Sequence, residues 1–343
     1  MFGKKKPKFF VKLIKSQKKK KLFKILVVPR NFHTGFVAFF IKDFIDGLIK
    51  KGWHIVDSES QVKSNNILKD IQEATGIKKN PYIIAFYILR NKIFKKWKNF
   101  KDFNAVKVLI TEDLHNPSDV DALKEVLPWI DAIFSRYPRY TMSMAHPYKP
   151  LCFNLFHAST SLFYIPIHFD KKIDKVLLSG AIEDDYYVLR NKAAELIHYT
   201  DLVKMREHPG YTVKDSKTES KNYAKDISKY KIAISDQGSI PGKKHPYILA
   251  KHFEIPSAGT SLLTHKNLAP YLKDLGFKED YNYITATPKT LLKKIEYWLD
   301  PKNQTKLRKI TERGQKLVLK SHMNKLRVSQ FDSITRKLYF CIN

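Results

Sequence analysis

Cysteine is scarce in this chain of 343 residues, which carries only Cys152 and Cys341. Two thiols cannot build a disulfide framework, and chains without one are typical of a reducing compartment, so we expect a cytoplasmic protein. Glycine and proline, at 12 and 16 residues, are too few for a collagen-like or low-complexity chain. A hydrophobic fraction of 43% excludes wholesale disorder. The length predicts about two domains.

Acidic residues are also scarce. Against 63 Lys and Arg there are 33 Asp and Glu, which gives a formal net charge of +30, and no acid precedes Asp43. A charge of this size fits an anionic partner such as nucleic acid, a membrane surface or a phosphorylated ligand. Arginine, which binds phosphate bidentately, numbers only 10 against 53 lysines, so the charge equally fits a lysine-rich composition that favours solubility.

The chain also lacks a long apolar segment. The longest stretch without Asp, Glu, Lys or Arg runs from Pro150 to Phe169 and contains polar side chains such as Asn154 and His157, so we predict no transmembrane helix. No apolar core follows the lysines of residues 1–24, which excludes a secretory signal peptide. This basic arm is either a solvated tail or a peripheral contact with an anionic membrane.

The chain alternates between strand and helix patterns. The branched run from Lys24 to Pro29 predicts a buried strand, the helical spacing from Val37 to Ile49 an amphipathic helix, and Trp53 to Val56 a second strand. Together they form a β-α-β unit, which implies a parallel sheet. Further strands are predicted at Tyr82–Tyr87, Val106–Thr111 and Ala132–Ser135, with a helix at Ser118–Ile130.

A second alternating set follows a link near residues 163–172. Its predicted strands are Lys175–Leu178, Leu202–Arg206, Ile232–Ser235 and Ser261–Thr264. Its predicted helices are Asp184–Tyr199, Glu219–Tyr230, Pro246–Glu254, Pro288–Leu299 and the region 303–338. We therefore predict an α/β fold of two doubly wound, Rossmann-like domains that face a cleft. The predicted parts of the chain are a basic arm at 1–24, an N-terminal domain at 25–165, a C-terminal domain at 166–325 and a final helix at 326–343.

Ligands of open α/β sheets bind beyond the carboxyl ends of the strands, so the polar residues there are the candidates for function. His33 follows the first predicted strand and titrates in the range useful for a general base. Asp113 and His115 follow the strand that ends at Thr111 and can act as a base and its orienting partner. The alternatives are an ordinary polar loop for the histidines and a helix cap for the acid.

A second group of polar residues follows the strands of the second set. Ser179 and Gly180 form a turn that lets the backbone approach a phosphate, and Arg190 on the next helix can reach a diphosphate. His208 precedes a Pro-Gly turn and can flank a base or a sugar. The alternative for each is a structural role in a turn or on a helix surface.

The stretch from Gly242 to Glu254 is the most informative. Gly242, Lys243 and Lys244 lead into a helix predicted to begin at Pro246, whose free N–H groups and dipole suit a diphosphate. Glu254 falls near the predicted end of that helix, where the dipole disfavours a carboxylate. The position indicates a second role for Glu254, such as accepting hydrogen bonds from ribose hydroxyls.

The segment from Tyr247 to Thr264 resembles the donor-site signature of GT-B glycosyltransferases, and it is most similar to their CgeB-like group within the family-one-type C-terminal domain. The runs from Tyr283 to Trp298 and from Ile310 to Val318 resemble the same group. The resemblance therefore covers about residues 175–335. The N-terminal half shares only the rhythm of strands and helices.

This resemblance implies a nucleotide-sugar donor held mainly by the C-terminal domain, with no metal or other cofactor. The sugar would pass to a hydroxyl of a glycan, lipid or protein acceptor, with His33, Asp113 or His115 as the base. Glu254 matches the family glutamate that holds the donor ribose. The candidate donor-binding residues are Ser179, Gly180, Arg190, His208, Gly242, Lys243, Lys244, Tyr247 and Glu254.

Other interpretations stay open at this stage. The family often carries a second glutamate at the position of Pro246, so the acid that contacts the sugar and the stereochemistry of transfer are undecided. The string Asp119-Val-Asp121 resembles a metal-binding pair but falls in the first turn of a predicted helix, where acids complement the dipole, so we predict no metal site. A non-catalytic GT-B scaffold and a nucleic-acid-binding protein are the alternatives. No nucleic-acid-binding motif is present, which argues against a nucleic-acid partner.

Overall fold

The computed structural model describes residues 22–29, 39–78, 83–88, 97–111, 117–148, 150–182, 187–207, 215–238 and 246–342. Its strands form two separate sheets, and all pairings between the described strands are parallel. Parallel strands need crossover connections, so helices cover the faces of such sheets. The predicted α/β class is confirmed.

The first sheet has six strands in the order β2-β1-β3-β4-β5-β6. They are β1 (Lys24–Val28), β2 (Trp53–Asp57), β3 (Ile83–Ile88), β4 (Val106–Thr111), β5 (Ala132–Ser135) and β6 (Leu151–Asn154). The helices described among them are α1 (Phe39–Lys50), α2 (Ile67–Thr75), α3 (Pro117–Val126) and α4 (Pro138–Ala145). The order reverses at β1, which makes the sheet doubly wound.

The second sheet has five strands in the order β11-β10-β9-β7-β8, which repeats the winding of the first five strands. They are β7 (Ile173–Ser179), β8 (Val203–Arg206), β9 (Tyr230–Ser235), β10 (Ser261–His265) and β11 (Ile284–Ala286). Its helices are α5 (Val188–Leu196), α6 (Ser216–Ser228), α7 (Lys251–Ser257), α8 (Ala269–Lys273), α9 (Leu291–Leu299) and α10 (Gln304–Ser321), and the described chain ends with α11 (Asn324–Ile342). Short 3-10 turns lie at Leu127–Trp129, His146–Tyr148, Ser161–Phe163, Phe169–Lys171, Lys266–Leu268 and Pro301–Asn303.

Strand β1 shows why the apolar runs are continuous rather than alternating. Ile25 and Val27 belong to the core on one face of the sheet, and Leu26 and Val28 belong to the core on the other face. Successive side chains of a strand point to opposite faces, and both faces of this sheet are covered. The four residues from Ile25 to Val28 are therefore all apolar, and the buried Lys24 at the start of the strand pairs with Asp332.

The final helix lies against the first sheet although it follows the second in the sequence. Val328, Phe331 and Leu338 of α11 belong to the same buried cluster as Leu26. Phe331 is fully buried and makes edge-to-face contacts with aromatic rings of that cluster. The end of the chain thereby ties the two sheets together. No helix of the described residues is long and apolar enough to cross a membrane.

The chain passes between the sheets at two adjacent places. The Ser159 N–H donates to the His322 carbonyl at 2.9 Å, and the Asn324 N–H donates to the Ser159 carbonyl at 2.7 Å. The Arg327 Nε donates to the Phe156 carbonyl at 3.2 Å. The outgoing segment and the returning segment are thus hydrogen-bonded to each other.

One predicted helix starts later than the sequence indicated. Residues 246–249 are not helical, and helix α7 begins at Lys251 rather than at Pro246. The backbones of Tyr247 and Gly238 exchange two hydrogen bonds of 2.9 and 3.0 Å, which commits this stretch to a bridge instead of a helix. The short strands β6 and β11 were not predicted, because runs of four and three residues give too little periodicity.

Candidate functional site

The carboxyl end of β7 lies where the winding of the second sheet reverses, next to both β8 and β9. Ser179 ends this strand and Gly180 follows it with a φ of 102°. A residue with a side chain is strained in this left-handed region, so the turn favours glycine. The reversal point is also where ligands of doubly wound sheets bind.

Two cationic side chains come together at this turn. A Cβ atom built on Gly180 would lie 3.0 Å from Nη1 of Arg190 and 3.1 Å from Cε of Lys251. Glycine therefore leaves the backbone open to the two cations, one from α5 and one from α7. We call Gly180, Arg190 and Lys251 the cleft cluster. A bare backbone beside two cations is the arrangement that a phosphate needs.

The lysine of the cleft cluster is held in place by a tyrosine. The Lys251 Nζ donates to the hydroxyl of Tyr223 at 2.6 Å and lies 4.3 Å from the centre of its ring. The same hydroxyl is 2.9 Å from Oγ of Ser179, so Tyr223 links the lysine to the end of β7. Tyr223 is itself buried on α6.

The arginine of the cleft cluster is almost fully buried, with 2% of its surface exposed. Its Nη1 donates to the Ala181 carbonyl at 3.0 Å, and its guanidinium lies 3.9 Å from the centre of the Tyr187 ring. Its Nε has no hydrogen-bond partner in the part of the chain that the structure describes. A buried cation with an unused donor is costly unless an anion pairs with it.

A buried aspartate positions the helix that carries this arginine. The Asp236 Oδ2 accepts the backbone N–H groups of Leu189 and Arg190 at 2.6 and 2.9 Å. Burial raises the pKa of Asp236, and the N–H and the charge of Arg190 act in the opposite direction. Because the carboxylate occupies the first amides of α5, a phosphate here would meet the Arg190 side chain rather than the helix terminus.

Glu254 lies one turn after Lys251 on α7, in the first turn of the helix. The prediction that it sits near the end of a helix, against the dipole, is therefore wrong; the dipole favours a carboxylate here. Burial raises the pKa of Glu254 to about 7, and the nearby Lys251 lowers it only partly. Within the described residues, no group donates a hydrogen bond to this half-buried carboxylate. It is an acceptor without a donor.

His252, between these two residues, has a structural role. It is fully buried, and burial lowers its pKa to about 3, so the ring is neutral. Its Nδ1 lies 3.1 Å from both the N–H and the carbonyl of Leu249, and its Nε2 lies 2.9 Å from Oγ1 of Thr264. The ring thus fixes α7 to β10 and, with it, the positions of Lys251 and Glu254.

Tyr247 lies at a contact between the two sheets. Its ring centre is 4.3 Å from that of Tyr137, which follows β5. It also covers Gly238, where a Cβ atom would lie 2.1 Å from the ring. Tyr247 thus brings the carboxyl end of β9 against the carboxyl end of β5, and the two sheets face each other there.

The predicted residues divide into three groups. The structure brings Ser179, Gly180, Arg190 and Glu254 together around Lys251. Tyr247 lies instead at the contact with Tyr137, and its role in donor binding stays a prediction. The other predictions lie outside the described residues, and they are His33, Asp113, His115, His208, Gly242, Lys243 and Lys244. Sequence reasoning missed Lys251, although its place three residues before Glu254, on the same helix face, was a usable signal.

Among the described residues, no group of three or more His, Cys, Asp or Glu side chains could hold a metal ion. Asp121, half of the Asp-x-Asp string, forms an ion pair with Lys124 at 3.3 Å.

Comparison with known proteins identifies a related family for part of the chain. Residues 212–333 match a family described as "Glycosyl transferase-like", a span that contains Tyr223, Lys251 and Glu254. No curated protein matches the sequence significantly.

Solved structures match over nearly the whole chain. Sucrose-phosphate synthase from Thermosynechococcus elongatus superposes with a TM-score of 0.61 at 10% identity, covering 93% of this chain and 100% of that one. Anabaena HepE in complex with UDP-glucose superposes with a TM-score of 0.59 at 10% identity, covering 92% of this chain and 99% of HepE. An alpha-glucosyltransferase in complex with UDP and a 13-mer DNA containing a HMU base superposes with a TM-score of 0.59 at 11% identity. The match covers 92% of this chain and 100% of that one.

The fold is that of the GT-B glycosyltransferases, with two parallel α/β sheets, as the resemblance implied. The match to the family lies in the half of the chain that carried the resemblance. Placement in the CgeB-like group stays a prediction.

Proposed function

We propose that this chain is a glycosyltransferase that holds the diphosphate of a nucleotide sugar at the cleft cluster and transfers the sugar to a hydroxyl group without a metal ion. The observation that carries the proposal is the convergence of Arg190 and Lys251 on the bare backbone of Gly180. Glu254 one helical turn further on supplies an acceptor suited to ribose hydroxyls.

The chemistry follows from the charges. When the bond between the sugar and the diphosphate breaks, negative charge develops on the leaving oxygen. Preorganised cations stabilise that charge most strongly in a site that excludes water. Arg190 and Lys251 are already fixed by Ala181 and Tyr223, so little reorganisation is needed during the reaction. Two fixed cations can do the work that Mg²⁺ does in metal-dependent transferases.

The residues that would deprotonate the acceptor hydroxyl are proposed from the sequence alone. His33, Asp113 and His115 stay proposals for the base that takes the acceptor proton. The first acceptors to test are the hydroxyls of a glycan, a lipid or a protein. We place the protein in the cytoplasm, where its free Cys152 and Cys341 stay reduced, with the basic arm available for contact with anionic lipid.

Two solved structures guide the choice of ligands. HepE was solved with UDP-glucose, and an alpha-glucosyltransferase with UDP and DNA, so uridine nucleotides are the first donors to test. The second structure, together with the net charge of +30, favours including DNA among the acceptors. Donor hydrolysis in the absence of an acceptor would exclude a non-catalytic scaffold.

The first test is a titration of the full chain with a panel of nucleotide sugars, with and without a chelator. We expect one or more of them to bind equally in both conditions and to raise the melting temperature. A ligand at about 100 times its Kd should add about 2.7 kcal/mol of stability. Loss of binding with the chelator would contradict metal independence, and no binding by the panel would contradict the proposal.

The second test is Glu254→Gln. A carboxylate accepts hydrogen bonds from ribose hydroxyls more strongly than a neutral carboxyl group does. Because the pKa of Glu254 is about 7, the affinity of the unaltered chain should fall by up to about tenfold from pH 8 to pH 6. The variant should bind weakly, and without this dependence on pH. Calorimetric titration at the two pH values measures both effects. Unchanged donor affinity in the variant would count strongly against the assignment.

Unfolding of the same variant supplies the control. Because folding raises the pKa of Glu254 from 4.5 to about 7, the folded state is penalised as the pH rises through this interval. The variant should therefore be more stable than the unaltered chain by about 1–3 kcal/mol at pH 8, and equally stable near pH 4. Weaker donor binding in a more stable protein cannot be attributed to misfolding.

A further inference from the structure

A cavity of about 660 Å³ opens between α9, α10 and the turn at Asp280. None of its lining residues belongs to the cleft cluster. Its volume is within the range of small-molecule sites. We call it the outer pocket, and five of its lining side chains are cationic: Lys293, Lys294, Lys306, Lys309 and Arg313.

The charges of the outer pocket are poorly compensated. Asp280 is the one acidic side chain among the described residues that line it, and its Oδ2 lies 4.0 Å from Nζ of Lys294. The other four cations form no ion pair with any described residue. The pocket therefore concentrates positive charge around a concave surface, which raises the local concentration of anions.

The sequence of α10 extends this pattern along one helix face. Lys306, Lys309, Arg313, Lys316 and Lys320 follow one another at spacings of three and four residues, and all are exposed. Like charges at this spacing destabilise a helix, so they contribute nothing to its folding. Only the first three of them line the pocket, where α9 adds two more cations.

Aromatic side chains shape the pocket and hold one of the cations. The guanidinium of Arg313 lies 4.1 Å from the centre of the Tyr281 ring, which limits its freedom before any ligand arrives. Trp298 lines the wall with 4% of its surface exposed, and its indole N–H has no acceptor among the described residues. Tyr297 lies beside it in the lining.

We propose that the outer pocket binds a ligand that carries two or more phosphate groups, either as a soluble compound or as a lipid headgroup. Five cations against one carboxylate require a ligand with several negative charges. Lysine and arginine bind phosphate oxygens through charge-assisted hydrogen bonds. The concave shape and the volume of about 660 Å³ favour a small group over a nucleic-acid strand, which needs an extended groove. This inference does not depend on the proposed glycosyl transfer.

The test compares two double variants of the full chain. Lys309→Gln with Arg313→Gln removes two cations from the outer pocket, and Lys316→Gln with Lys320→Gln removes two from the same helix beyond it. All four side chains are exposed, so both variants should fold. With inorganic tripolyphosphate as the titrant, we expect the pocket variant to lose about tenfold in affinity or more, and the control variant less than about twofold.

Binding to lipid vesicles distinguishes a phosphorylated lipid headgroup from a soluble phosphorylated ligand. Co-sedimentation with phosphatidylcholine vesicles, with or without phosphatidylglycerol, is measured for both variants. Loss of anionic vesicle binding in the pocket variant, beside its loss of tripolyphosphate, supports a lipid headgroup. Loss of tripolyphosphate alone supports a soluble ligand.

Three outcomes would overturn the proposal. The first is no binding of tripolyphosphate by the unaltered chain, and the second is equal affinity in the two variants. The third is loss of duplex DNA binding in the pocket variant with tripolyphosphate unaffected, which would make the face a polymer-binding surface.

Discussion

The cleft cluster and the outer pocket are both positively charged, but they are built differently. Arg190 is buried and Lys251 half-buried, and each donates to a defined oxygen of the protein. Most cations of the outer pocket are exposed and lack such partners. A buried cation is costly to keep and is preorganised, whereas an exposed one costs little and is screened by salt. We therefore expect specificity from the cleft cluster and salt-sensitive attraction from the outer pocket.

The largest expected effect is the loss of donor affinity in Arg190→Lys, a variant that changes the geometry of the cleft cluster but not its charge. Arg190→Lys keeps the charge but loses the planar group that stacks on Tyr187 and donates to Ala181. Nucleotide-sugar affinity should fall about 100-fold, which corresponds to about 2.7 kcal/mol. Calorimetric titration measures it, and tripolyphosphate binding at the outer pocket should not change. An unchanged donor affinity would show that the cleft cluster supplies only charge, like the outer pocket.

A smaller effect is expected from filling the space between the two cations. Gly180→Ala places a Cβ atom at 3.0 Å from Arg190 and 3.1 Å from Lys251, and forces alanine to a φ of 102°. Donor affinity should fall about tenfold because both cations are displaced from the backbone.

Gly52→Ala is the matched control for this change. Gly52 has a φ of 80° and nothing within 4 Å of the added Cβ atom. Both variants should lose about 1–3 kcal/mol of stability to backbone strain. Only Gly180→Ala should also lose donor affinity, and equal affinities in the two variants would remove Gly180 from the site.

Sequence patterns predicted the fold better than they predicted the site. Buried strands such as β1 and β4 are read directly from runs of branched residues, since each residue of the run has to face a core. Position along a helix was harder to predict around Glu254. The start of α7 is decided by the pairing of Tyr247 with Gly238, a contact that local periodicity does not contain.

Lys251 shows a second limit of the sequence. Among 53 lysines, nothing in composition distinguishes this one from an exposed lysine of α10. Its role depends on Tyr223, which lies 28 residues earlier and meets it only in the folded chain. The charge of the cluster was therefore visible in the sequence, but the partner that fixes it was not.

The smallest expected effect concerns salt. Raising the ionic strength from about 0.1 M to about 1 M shortens the Debye length from about 10 Å to about 3 Å. Exposed cations of the outer pocket act together over such distances, so its affinity for tripolyphosphate should fall about fivefold or more. The cleft cluster acts through direct contact in a buried setting, so nucleotide-sugar affinity should fall by only about twofold. Parallel titrations at the two ionic strengths measure the difference, and equal losses would mean that burial does not distinguish the two regions.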